Sequence, residues 1–160
     1  METNSSDDYG LASTSFLREP DFCQQIDKDV GQTLEVFVIF TDVPGTLAAL
    51  RTAAALSKQL AAHLQLLMPY EVPYTLPVLK PAVQVEFLEG RVRDLACKTH
   101  LDVAAHICLC RDRSRVLRLL LRPRDLIVLG GRKRWWPSRA ERLAKALRRN
   151  GYQVIFVEAR

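Results

Sequence analysis

Two kinds of hydrophobic pattern alternate along the chain from residue 35 onward. The first is a short unbroken apolar run: Glu35–Thr41, Leu64–Tyr70, Val103–Cys110, Asp125–Gly130 and Tyr152–Val157. Runs of this kind, rich in β-branched and aromatic residues and without polar alternation, predict strands covered on both faces. The second is a longer stretch with apolar residues three and four apart. Leu47, Leu50, Ala54, Ser57 and Ala61 predict a helix over 47–63, and Leu88, Val92, Leu95 and Thr99 one over 88–100. Leu117, Leu120 and Leu121 predict a third over 115–121, capped by Ser114 and ended by Pro123. Ser138-Arg139-Ala140-Glu141 is a capping box, and the helix it opens closes at Asn150-Gly151.

The resulting order, β-α-β-α-β-α-β-α-β, is that of an α/β protein with helices on both faces of a sheet. Right-handed crossovers leave an open five-stranded parallel sheet of order 3-2-1-4-5 as the most economical arrangement. Residues 69–87 interrupt the pattern with Pro69, Pro73, Pro77 and Pro81, which predict a stiff extended loop. Within it Val83, Val85 and Phe87 alternate with polar residues and suggest a short exposed strand or arm.

Charge divides the chain differently. The first 30 residues hold two basic and seven acidic side chains, lack periodicity and are rich in Ser, Thr, Asp and Asn. We therefore expect a disordered acidic tail over 1–32, followed by one domain over 33–160. Residues 111–149 hold 14 basic against 3 acidic residues, so this stretch supplies the whole positive excess behind the net charge of +5. The N-terminus lacks the basic and apolar segments of a secretory signal, and no window is apolar enough to span a bilayer. A cytoplasmic protein is the expectation.

In an open parallel sheet, ligands bind beyond the carboxyl ends of the strands where the strand order reverses. Two predicted loops meet there. One is Asp42-Val43-Pro44-Gly45; the other runs Gly130-Gly131-Arg132-Lys133-Arg134-Trp135-Trp136-Pro137 to Ser138. Glycines let a backbone approach a ligand, cations neutralise phosphate, and an indole stacks on a base. Plainer roles exist for each part: Asp42 as a cap, the glycines as a tight turn, the cations as a solvated loop, and at least one indole buried over the sheet end.

On these residues the chain from about Glu35 to Glu158 resembles the universal stress protein family of the adenine-nucleotide α-hydrolase-like superfold. The resemblance rests on the first strand ending in Asp42, on Asp125-Leu126-Ile127-Val128-Leu129-Gly130-Gly131-Arg132, and on the final strand from Gly151 to Val157. It implies that Asp42 contacts a nucleotide such as ATP or AMP. It also implies that Gly130 begins a Gly-x2-Gly-x9-Gly-[Ser/Thr] run around ribose and phosphates, and that the final strand pairs with its copy in a homodimer. The run departs from that pattern at Lys133 and Leu143, where its second and third glycines would stand. The usual backbone cradle for a triphosphate cannot then form.

Arg115, Arg118 and Arg122 on the third helix, with Arg142 and Arg149 on the fourth, place a basic face on one side of the sheet. It is a solvated surface or a contact for RNA or DNA, although neither helix carries the interleaved aromatics of a single-strand reader. His106, Cys108 and Cys110 share one side of a strand at spacings too long for a compact metal site, and read as core residues. No nucleophile with its base, no paired carboxylates and no Walker-type loop is present, so no enzymatic activity is expected. The leading reading is a non-catalytic regulatory module for stress response that binds a phosphorylated or adenine-containing ligand at the crevice. The alternatives are a nucleotide-free dimeric interaction protein and a polyanion-contacting accessory domain.

Overall fold

The computed structural model describes residues 14–18, 33–77, 85–101 and 103–160. Six strands are present: β1 (Thr14–Arg18), β2 (Glu35–Ile39), β3 (His63–Glu71), β4 (Ala104–Cys110), β5 (Leu126–Gly131) and β6 (Gln153–Glu158). Helices α1 (Val43–Leu60), α2 (Val85–Thr99), α3 (Arg113–Leu120) and α4 (Arg139–Arg149) connect them from β2 onward. All pairings are parallel, in the order β1-β4-β3-β2-β5-β6. The five strands expected from the pattern, β2 to β6, therefore lie in the expected order.

β1 is a correction. It comes from the segment expected to be a disordered tail, and it lines up with β4 from Thr14 opposite Ala105 to Arg18 opposite Leu109. Backbone pairing along the open side of β4 needs no hydrophobic periodicity, so the sequence pattern carries no trace of it. The rest of the expected tail, residues 1–13 and 19–32, lies outside the described residues.

The sheet is covered on both faces, which is why its strands do not alternate. Val36 and Val38 of β2 share one core with Ala49, Leu50 and Ala53 of α1 and Leu88, Val92 and Leu95 of α2. Phe37 and Ile39 face the other way, into a core shared with Val116, Leu117 and Leu120 of α3 and Ala144 and Leu147 of α4. Small residues on α1 let it sit close to the sheet, and right-handed crossovers segregate the helices two to a face. Cys108 and Cys110 are buried in the second core, where burial pushes the Cys108 thiol up to about 12.

Several boundaries shift for local reasons. α1 starts at Val43, four residues earlier than expected, because Asp42 caps it and Pro44 fits its first turn. It ends at Leu60, with Ala61 left-handed, so His63 opens β3 instead of closing the helix. Asp112, not Ser114, caps α3: its carboxylate accepts from the amides of Ser114 and Arg115. α2 begins at Val85, so Phe87 stands exposed on a helix and not on the expected arm; Val83 lies outside the described residues.

Pro69, where the expected strand 64–70 and the expected loop 69–87 overlap, is inside β3. Leu67 accepts from the Phe40 amide, so residue 69 directs its backbone to the same side, where β2 has already ended. A missing N–H costs nothing there.

Candidate functional site

The turnaround lies between β2 and β5, and the two expected loops meet there. The Thr41 hydroxyl donates to the Gly130 carbonyl at 2.6 Å, while its amide donates to the Thr46 hydroxyl at 3.2 Å. Gly45, in the first turn of α1, lies against Gly130 with no room for a side chain on either. Gly131 is the last residue of β5; a Cβ there would sit 3.0 Å from the Ala140 methyl group, and its carbonyl accepts from Ala159. Gly45, Gly130 and Gly131 are all buried. Their absent side chains allow two loops and a helix to close on one another, and they do not line the cleft above.

That cleft has a volume of about 690 Å³ and lies between the first turns of α3 and α4, over the ends of β2 and β5. Of the residues expected at the site, Asp42, Pro44, Arg132, Arg134, Trp136 and Ser138 line it. Lys133 and Trp135 do not. Neither indole is buried: Trp135 is 102% exposed and Trp136 81% exposed. Burial of an indole over the sheet end is therefore not observed; Gly131, at the end of β5, lies against Ala140 and Phe156 instead. Arg142, assigned from the sequence to a separate basic face, lines the cleft; Arg115, Arg118, Arg122 and Arg149 do not.

The pattern missed Arg113 and Arg139, both in the cleft wall. The available signal was position. Arg113 follows the carboxyl end of β4, and Arg139 follows the Ser138 cap. Arg113 is the more telling of the two. Its Nε is buried and has no hydrogen-bond partner among the described residues. A buried guanidinium N–H without a partner costs about 1–3 kcal/mol or more, because its hydration is lost without replacement.

The acids near this cluster are already occupied. Asp112 accepts two amides at the start of α3, and Glu141 accepts the Ser138 amide in the capping box of α4. Asp125 is buried and accepts from the Arg122 amide at 2.8 Å; burial pushes its carboxyl up while that bond holds it down. These are the 3 acids of the 111–149 stretch. Glu71 accepts from the Arg113 amide at 3.3 Å, and Asp42 accepts from Gly45 at 2.7 Å. Arg142 donates to the Pro137 carbonyl at 3.2 Å. Arg113, Arg132, Arg134, Arg139 and Arg142 thus converge on one cleft without a carboxylate partner among the described residues. The amides that helix starts offer to anions are partly consumed by Asp42, Asp112 and Ser138. The charged donors left in this cleft are guanidinium groups, a chemistry suited to phosphate through paired N–H donors.

Among the described residues no helix is long and apolar enough to cross a membrane, and no group of three His, Cys, Asp or Glu side chains is placed to hold a metal ion.

No protein-family model matches the chain, and no curated protein matches it in sequence. Among solved structures, the chain is similar to a universal stress protein in complex with cAMP, at 16% identity and a TM-score of 0.48, over 81% of this chain and 100% of that one. It is also similar to a macrolide-efflux protein from Streptococcus pneumoniae, at 13% identity and a TM-score of 0.48, over 92% of this chain; it spans 58% of that protein's length. Neither likeness bears on the chemistry of the cleft.

Proposed function

We propose that this protein is a non-catalytic regulatory module that binds a phosphate-bearing ligand, an adenine nucleotide such as AMP or ATP in the first instance, in the cleft between α3 and α4. The observation that carries the reading is the partnerless Nε of Arg113, buried in a wall shared with four other arginines. Arg113 as a whole is only half-buried, and a small shift of its side chain would bring this Nε to a phosphate oxygen, which would supply the missing acceptor and offset part of the charge of the cluster. Asp42, which also lines the cleft, suits a ligand amine or hydroxyl, and Trp136 offers a stacking face for the base. A ligand held by side-chain charge in place of a glycine cradle agrees with Lys133 and Leu143 at the expected glycine positions.

Calorimetry with AMP, ATP, cAMP and inorganic phosphate tests this. Arg113→Ala combined with Arg132→Ala is expected to weaken nucleotide binding at least tenfold, each charge-assisted bond being worth about 1.5–3 kcal/mol. Undetectable binding of every phosphate compound to the parent protein would refute the reading.

A second reading, a homodimer through β6, is favoured by one feature. Val154, Ile155, Phe156 and Val157 are all only half-buried, on a strand with no neighbour beyond it among the described residues. Pairing two copies would cover them and complete the open edge.

A further inference from the structure

We propose that the cleft is one end of a track for single-stranded nucleic acid, which continues past Trp135 and along the exposed face of α4. The inference rests on the cleft binding phosphate, and goes beyond it to a polymer. It starts from a residue that a mononucleotide leaves unused. Trp136 lines the cleft, but Trp135 does not, and it is 102% exposed in the same loop. A protein gains nothing in stability from an indole in water. A second unpaired base, stacked outside the cleft, would give that side chain a partner, and stacking of this kind tolerates any base.

The cations extend the same way. α4 follows β5 and precedes the parallel β6, so it runs back from the cleft toward the opposite end of the sheet. Arg139, Arg142, Lys145 and Arg149 are exposed along it, at spacings of three and four, which place them on one side of the helix. From Arg139 to Arg149 the stripe covers about 15 Å at 1.5 Å per residue. The other side of the helix, Ala140, Ala144 and Leu147, is buried. Glu141 is the acid of this helix, and it is engaged in the capping box. Arg115 and Arg118 are exposed on α3, on the same face of the sheet.

This geometry favours a linear polyanion over an anionic membrane. A bilayer that took up the two indoles at the loop would meet the cations beside them, but those farther along α4 lie progressively deeper from that contact. A strand of phosphates can follow the helix and leave its unpaired bases free for the indoles. The aromatics missing from the helices are supplied by the preceding loop.

The test compares, on the full chain, fluorescently labelled oligo(dT) and oligo(U) of about 12 nucleotides, within the usual range of strand-binding sites, with AMP. The oligonucleotides are expected to bind at least tenfold more tightly, with log affinity falling against log salt at a slope near −3, as about four phosphate contacts require. Trp135→Ala should lower oligonucleotide affinity roughly tenfold, and by more than it lowers AMP affinity. Arg149→Glu should flatten the salt slope by about 0.7. Both side chains are exposed, so unchanged thermal unfolding separates these losses from misfolding. Equal affinities and salt slopes for AMP and the oligonucleotides would overturn the track and leave the cleft reading standing. Binding of neither would overturn both. Vesicles rich in phosphatidylserine that bind the protein and blue-shift its tryptophan emission, with no oligonucleotide binding, would overturn the track in favour of a membrane contact.

Discussion

Gly45 and Gly130 meet backbone to backbone across the turnaround: a methyl group on Gly45 would lie 2.5 Å from the Gly130 carbonyl oxygen and 2.9 Å from Asp42 Oδ1. This contact joins the first turn of α1 to the end of β5, and Asp42 and Pro44 beside it line the arginine-rich cleft. Neither glycine needs a positive φ here; each is required for the space.

Gly130→Ala is therefore expected to destabilise the fold by about 3 kcal/mol, the upper end of the usual cost of overpacking, because backbone stands on the other side and cannot rotate away. Urea unfolding would show a lower midpoint with an unchanged slope. A loss below about 0.5 kcal/mol would mean that the two loops separate easily.

Asp42 has a structural duty as well as a place in the cleft. Asp42→Ala removes the cap of α1 and should cost about 1 kcal/mol, whereas Asp42→Ser keeps a capping oxygen and should cost little. If the carboxylate also contacts the ligand, both variants lose nucleotide affinity by calorimetry and only the alanine loses stability. Full affinity in the serine variant would confine Asp42 to its cap.

His106 predicts an acid-side loss of stability. Burial lowers its imidazole below the usual 6.5, and its Nε2 lies 3.0 Å from Gln65 Oε1, whose amide nitrogen in turn donates to Glu35. The unfolded chain takes up a proton below about pH 6.5 while the folded protein does not, so this contribution is complete above that pH and declines as the pH falls below it. Asp125 works in the opposite sense: its raised carboxyl favours the fold at low pH and loses that advantage as the pH rises through its folded pKa. His106→Gln isolates the two, and urea midpoints at several pH values should lose the decline that starts near pH 6.5.

The open edge of β6 can be tested without disturbing the sheet. Ala159 donates to Gly131, so odd-numbered residues of β6 turn their backbone toward β5, and Val154 and Phe156 turn theirs outward. The Arg148 guanidinium already covers the Val154 carbonyl, at 3.0 and 3.2 Å. A dimer through this edge must displace Arg148 or pair beside it. Val154→Pro removes only an outward N–H and is expected to give a monomer by analytical ultracentrifugation at concentrations where the parent is dimeric. A monomeric parent at all concentrations would count against the pairing.

The legible part of this protein was its layering. β2 from Val36 to Ile39 has no polar face because α1 and α2 cover one side and α3 and α4 the other, and that is written directly in residue type. The Ser138 and Glu141 capping box was equally plain, because both partners lie within one turn of helix. Chemistry that depends on residues far apart in the chain was not legible. Gly130 and Gly131 read as a ligand-binding turn, yet their neighbours are Gly45, Ala140 and Phe156. Arg113 looked like one cation among 14 until β4 placed its side chain opposite α4.

By itself, then, the order of amino acids determined the five-strand core, its strand order and the excess positive charge of residues 111–149, since periodicity, crossover handedness and ionisation are local or nearly so. Tertiary structure alone decided that three glycines serve close packing, that Thr14–Arg18 adds a strand beside β4, and that five arginines line one cleft with their nearby carboxylates spent elsewhere. Burial and charge pairing are properties of neighbours in space, and neighbours from different loops meet only when the sheet has formed.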